Sequence, residues 1–174
     1  MRHIIFGGDG FVGRHLAPLI SAGGHGVIVA DILKSPLAHY GQVKFVHCDV
    51  TDPASVAAVG IKADDMVYNL SAKMLSPLQV RAKRHDFFYP VNFHGTVNII
   101  DTMAKAGANR LVHLTTDMIY GHTVEYPMTE EHPVAPLGEY GMSKWETELL
   151  AHKWRKEGMR ISLFRPRLII GPGR

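Results

Sequence analysis

Cysteine is almost absent: Cys48 is the one thiol in 174 residues. A single thiol cannot close an intrachain disulfide, which excludes a disulfide-stapled secreted scaffold and suits a reducing compartment. Long apolar runs are missing too. None approaches the roughly 18 residues that a membrane span requires, and Met1 leads at once into an apolar strand, leaving no space for a signal peptide. The chain reads as soluble and cytoplasmic, without a membrane partner. Charge of one sign is not gathered into a block. The net charge is +3, and the densest run, Arg81-Ala82-Lys83-Arg84, reads as a solvated face and not as a nucleic-acid surface. The 11 histidines form no HxxxH or HExxH pair, so the sequence offers no metal-ligand pattern.

What is present is an ordinary globular composition, 46% hydrophobic and 20% charged, in a length that suits one domain over 1–174. Strand and helix signals alternate throughout. Arg2 to Phe6 is an apolar run stopped by glycines, as a buried parallel strand would be. Phe11 to Ala22 carries Val12, Leu16, Leu19 and Ile20 at helical spacing, ends at Gly23-Gly24, and holds Pro18 inside it, which should bend the helix or cost it a hydrogen bond. Further strands are expected at 27–30, 43–47, 66–70, 111–114 and 161–164. Thr51-Asp52-Pro53 opens a short helix. One long helix is expected over about 86–106 and another over 139–157, with a proline-rich loop at 122–138 between them. Six strands alternating with helices predict a doubly wound parallel α/β sheet, a three-layer α/β/α Rossmann fold. Its ligands bind at the carboxyl ends of the strands.

The chemistry-bearing residues fall at those ends. Gly7-Gly8-Asp9-Gly10-Phe11-Val12-Gly13 follows the first strand and opens the first helix. Gly7 permits a tight turn, Gly10 lets the backbone approach a pyrophosphate, and Gly13 lets helix pack on strand. The free N–H groups and positive dipole end of that helix suit phosphates. Asp31 ends the second strand, where a carboxylate can accept hydrogen bonds from both adenosine ribose hydroxyls and repel a 2′-phosphate, favouring NAD over NADP. Asp49, after the third strand, can accept from the adenine amino group or simply cap a turn. Tyr140-Gly141-Met142-Ser143-Lys144 puts a phenol and an ammonium on one helical face. The cation should pull the phenol pKa down toward that of a general base. Thr115 and Thr116, ending the fifth strand, offer two hydroxyls to hold a substrate oxygen against the phenol.

With these residues in place, the chain resembles the extended short-chain dehydrogenase/reductase family of NAD-dependent sugar epimerases and dehydratases. The resemblance runs through Cys48-Asp49-Val50-Thr51-Asp52, Tyr68-Asn69-Leu70-Ser71-Ala72, Val91-Asn92-Phe93-His94-Gly95-Thr96, Thr115-Thr116-Asp117-Met118-Ile119-Tyr120-Gly121, and Phe164-Arg165-Pro166 to Gly171-Pro172-Gly173. It implies NAD as cofactor, held by Gly7, Gly10, Phe11, Val12, Gly13, Asp31, Asp49, Val50, Leu70, Ser71, Ala72, Tyr140 and Lys144. It implies Tyr140 as the base, Lys144 as its helper and ribose holder, and Thr116 as the substrate-orienting hydroxyl. Asp117 stands where the dehydratases carry the first of two acidic residues. The second is replaced here by Met118, which speaks against dehydration, although Asp117 keeps that reaction open. A nucleotide-activated sugar is the implied substrate, and a homodimer through the two long helices the implied assembly. Phe6 replaces the family's usual threonine before the first glycine. Family members continue into a smaller carboxyl-terminal portion that binds the substrate, so the chain is expected to stop short of that portion. Two other readings share this framework: an NAD-sensing module without chemistry, and a reductase of small carbonyl compounds.

Overall fold

Why the sheet forms is plainest at its centre. Ile4, Ile5 and Phe6 of β1 (Arg2–Phe6) are fully buried, so the strand is covered on both faces. The computed structural model describes residues 1–34, 43–74 and 84–173. Around β1 lie β2 (Gly26–Asp31), β3 (Lys44–His47), β4 (Met66–Asn69), β5 (Arg110–Leu114) and β6 (Arg160–Phe164). All pairings are parallel and the order is β3-β2-β1-β4-β5-β6. This is the doubly wound order whose switch point falls between β1 and β4, where the chain leaves in opposite directions to the two halves of the sheet.

Alternation along the strands builds two cores. On one face Ile4, Phe6, Ile28 and Ala30 meet Val56 of α2 (Pro53–Ala58), Ile99, Ile100 and Met103 of α4 (Gly95–Lys105), and Ala151 of α5 (Gly138–Lys156). On the other, Ile5, Val27 and Val29 pack against Ala17, with Leu16 and Ile20 beside it, from α1 (Phe11–Ala22). Among the described residues α1 is the main cover of that second face, and Phe164 of β6 remains exposed. Pro18 lies within α1 with its side chain in solvent and does not end the helix. Asp52 caps α2 by accepting from Ala54 N at 2.9 Å.

The structure departs from the expected single helix over 86–106. It forms α3 (Arg84–Tyr89), a wide π-helical turn over Pro90–His94, and then α4. Pro90 has no N–H to give to the preceding turn, and the Gly95 N–H reaches back to Pro90 O, a five-residue step. The charged run's Arg81, Ala82 and Lys83 lie outside the described residues. Among those described, no helix is long and apolar enough to cross a membrane.

Candidate active site

The β1–α1 turn sets the floor of a cleft at the sheet's switch point. Gly7 has φ +69°, and a Cβ on it would lie 2.6 Å from Ser71 N, in the turn after β4. Its own N–H donates to Ala30 O at 2.9 Å, and Leu70 N donates to Phe6 O at 2.9 Å. Only a glycine fits between these two strand ends. A Cβ on Gly13 would land on the backbone of Gly8, which explains the close helix–strand approach. A Cβ on Gly10 would meet only Gly7 O within 4 Å, so its absence opens space above the loop, on the side from which a phosphate would approach.

Two cavities share this floor. The larger, about 360 Å³, runs over Gly7 and Gly10 to Asp31, Cys48, Asp49 and Val50, with Leu70, Ser71 and Ala72 as its wall. The second, about 200 Å³, runs from Gly7, Gly10, Phe11, Val12 and Gly13 past Leu70 and Ala72 to Thr116, Tyr140 and Lys144. All the residues singled out in the sequence as holding a dinucleotide therefore line one continuous groove. Asp31 is fixed in place: its carboxylate accepts from Asp9 N at 2.9 Å and Leu33 N at 3.2 Å. Asp49 caps a turn while lining the cavity. Its Oδ1 accepts from Thr51 N at 2.9 Å and Thr51 Oγ1 at 2.7 Å, and these bonds hold its carboxyl below the usual pKa.

At the other end, β5 and α5 bring together the side chains that the sequence singled out as catalytic candidates. The Thr116 hydroxyl caps the short 3₁₀ turn over Asp117–Ile119, accepting from Met118 N at 3.2 Å, and lines the same cavity as the Tyr140 phenol. Lys144 is buried, and its Nζ donates to Leu114 O at 3.1 Å. Burial pushes the ammonium pKa down to about 8, against the pull of Glu148. The expected fall in the phenol pKa is not found. Burial raises it, the Thr116 hydroxyl opposes the rise, and Asp117 adds to it. Lys144, whose Nζ is turned to Leu114 O, is not among the influences on the phenol, and the loss of solvent dominates.

Thr115 and Thr116, indistinguishable by type in the sequence, have separate roles. Thr115 Oγ1 lies 2.6 Å from Glu148 Oε1 and 3.0 Å from Phe164 O, behind the site. Both residues line the second cavity, where the Thr116 hydroxyl caps the turn over Asp117–Ile119. Asp117 sits at its rim, with Oδ1 3.4 Å from Thr116 Oγ1 and Oδ2 3.7 Å from Arg167 Nε.

Sequence reasoning passed over the supports. Glu148, fully buried one turn beyond Lys144, takes Arg165 through Nε (3.1 Å to each oxygen) and Nη2 (2.6 Å). Arg165 also donates to Tyr120 OH at 2.7 Å and to Glu130 O at 3.1 Å. The helical spacing from Lys144 was the available signal. Asn92, from the π turn, clamps the wall: Oδ1 accepts from Lys73 N at 2.8 Å, and Nδ2 donates to Lys73 O and Ser143 Oγ, both at 3.1 Å. Ser143 in turn donates to Tyr140 O at 2.8 Å. Behind Lys144, the Thr147 hydroxyl donates to Lys144 O at 2.7 Å and lies 2.9 Å from His113 Nε2.

The model of the NAD dependent epimerase/dehydratase family matches residues 3–174. The chain belongs to that family. A UDP-glucose 4-epimerase of Mycolicibacterium smegmatis is 28% identical over 99% of this chain and 57% of its own length. A dTDP-glucose 4,6-dehydratase of Streptomyces niveus is also 28% identical, over 99% of this chain and 55% of its own. Among solved structures, a UDP-glucose 4-epimerase from Bifidobacterium longum in complex with NAD+ and UDP superimposes with a TM-score of 0.84 at 25% identity, covering 95% of this chain and 52% of that one. The chain thus spans about half the length of the relatives it matches. The family is NAD-dependent, and the glycine cradle and the Asp31 carboxylate fit that cofactor.

Proposed function

We propose that this chain carries the cofactor-binding and catalytic part of an epimerase acting on a nucleotide-activated sugar. The observation that carries the reading is the convergence of Thr116, Tyr140 and Lys144 at one end of a groove whose other end is Asp31. When bound, NAD supplies the hydride acceptor and, on the way back, the hydride donor. Tyr140 takes the proton from a sugar hydroxyl as the adjoining carbon gives up its hydride, and returns it when the other face is reduced. Thr116, on the same cavity as the phenol, holds the sugar oxygen at it. Lys144 holds the nicotinamide ribose, and its charge favours the phenolate once the substrate proton is being exchanged. Met118 supplies no second carboxylate beside Asp117, which weighs against water elimination.

The test is Tyr140→Phe in the protein at its full natural length. Interconversion of UDP-glucose and UDP-galactose, followed by coupled oxidation of UDP-glucose, should fall at least about a thousandfold while NAD affinity stays within about threefold. Undiminished turnover would remove Tyr140 from the mechanism. Binding of NAD by the unaltered full-length protein without any sugar-nucleotide turnover would favour the sensing module.

We also propose that two copies pair through α3–α4 and α5. Phe87, Met142 and Leu149 are exposed on these helices, and Tyr89 OH donates to Glu146 at 2.8 Å to tie the two elements together. Light scattering on the eluting protein should give twice the chain mass, and Leu149→Arg should halve it.

A further inference from the structure

The phosphate-binding loop of this chain carries a carboxylate. Asp9, the third residue of Gly7-Gly8-Asp9-Gly10, is buried and lines the same cavity as Asp31. A negative side chain beside the place where a pyrophosphate must lie works against binding unless something compensates it. The compensation comes from one helical turn on: Arg14 Nε lies 3.3 Å from Asp9 Oδ1. Arg14 and Lys73 are the two cationic side chains among the described residues lining this cavity. Lys73 leans elsewhere, with its Nζ 5.7 Å from the centre of the Phe87 ring.

These facts bear on cofactor choice. In dinucleotide folds an arginine near the adenosine ribose is what accommodates a 2′-phosphate. Here Asp9 holds Arg14, the arginine among the described residues lining this cavity, in an ion pair. The backbone of Asp9 also donates to Asp31 Oδ2, so the loop that presents one carboxylate orients the other. A ribose hydroxyl entering between them meets two acceptors. A 2′-phosphate, carrying about −1.5 to −2 charge, meets two negative groups and an arginine already engaged.

We propose that Asp9 is a second determinant of NAD over NADP, acting beside Asp31 by adding charge to the ribose end of the groove and by keeping Arg14 from a 2′-phosphate. The inference rests on the cofactor reading of the groove and not on any substrate. It predicts a discrimination stronger than Asp31 alone would give.

The test is calorimetric titration of the 174-residue chain with NAD and with NADP, for the unaltered chain, Asp9→Asn, Asp9→Ser and Asp9→Asn/Arg14→Ala. Asp9→Asn and Asp9→Ser should each shift the NADP-to-NAD affinity ratio at least about tenfold toward NADP, the order expected from removing one nearby unit charge. Arg14→Ala in the Asp9→Asn background should remove most of that gain. An NADP-to-NAD ratio unchanged in both Asp9 variants, with NAD still bound, would overturn the proposal. A gain that survives Arg14→Ala would overturn the restraint of Arg14. Failure of the unaltered, folded chain to bind NAD would overturn the cofactor reading itself, and the proposal with it. Circular dichroism and the melting temperature of each variant serve as the check that it is folded.

Discussion

Replacing Glu148 by Gln should cost the domain about 3 kcal/mol. The carboxylate has no exposed surface, and it receives Arg165 through Nε and Nη2 besides lying 2.6 Å from the Thr115 hydroxyl. Removing one partner of a buried ion pair costs about 3–5 kcal/mol, because the remaining charge is left without its counter-ion. Two features place Glu148→Gln at the lower end. The amide keeps the volume and one acceptor oxygen, and Arg165 retains Tyr120 OH and Glu130 O. In a domain of this size each kcal/mol moves the melting temperature by about 2–4 °C, so a fall of roughly 6–12 °C is expected. Urea denaturation gives the free energy directly, with the slope m unchanged. Arg165→Met should be comparably harmful, since it strands Glu148, and the double variant should lose clearly less than the sum. A loss below about 1 kcal/mol in Glu148→Gln would place the pair with surface salt bridges and refute the argument.

Acid should find His113 early. Its folded pKa is pushed down to about 3 by burial and by Lys144, so the unfolded chain binds a proton below about pH 6.5 that the folded chain refuses. Stability is therefore intact above pH 6.5 and falls as pH drops toward 3, by roughly 1.4 kcal/mol per unit for this one group. His113→Gln should flatten the slope of stability against pH between 6 and 4.5 by about one proton, and an unchanged slope would exclude His113 as the cause. Gly7→Ala should destabilise by more than Gly24→Ala. Both glycines have positive φ, but only at Gly7 would a Cβ meet backbone, 2.6 Å from Ser71 N, whereas nothing lies within 4 Å at Gly24. Equal losses in urea denaturation would show that conformation and not contact dominates at Gly7.

Much of the fold was legible because its signals are local. Strand runs such as Ile4-Ile5-Phe6 are buried on both faces, and the glycines after β1 have the spacing that a strand-to-helix turn over a pyrophosphate demands. The helix break at Pro90 was also written in the sequence, as a proline within an otherwise periodic stretch, but the apolar period on either side masked it. The phenol of Tyr140 was misjudged for another reason. Helical spacing fixes which charges are near, but how far burial reaches is set by Phe88 and by elements distant in sequence, and burial decided the sign. The same holds for the two threonines. Their type is identical, and only the closing of β5 against Glu148 and Phe164 shows which hydroxyl is engaged behind the site.

The wide turn at Pro90–His94 does more than interrupt a helix. Because Asn92 grips both the N–H and the carbonyl of Lys73 and also bonds Ser143, the groove wall and the helix carrying Tyr140 are coupled like two arms on one pivot. Lys73 lines the groove and Ser143 lies on α5, whose exposed side chains include Met142 and Leu149, so the amide of Asn92 stands between the two surfaces. The groove wall and the helix carrying Tyr140 thus share a hydrogen-bonded anchor in Asn92.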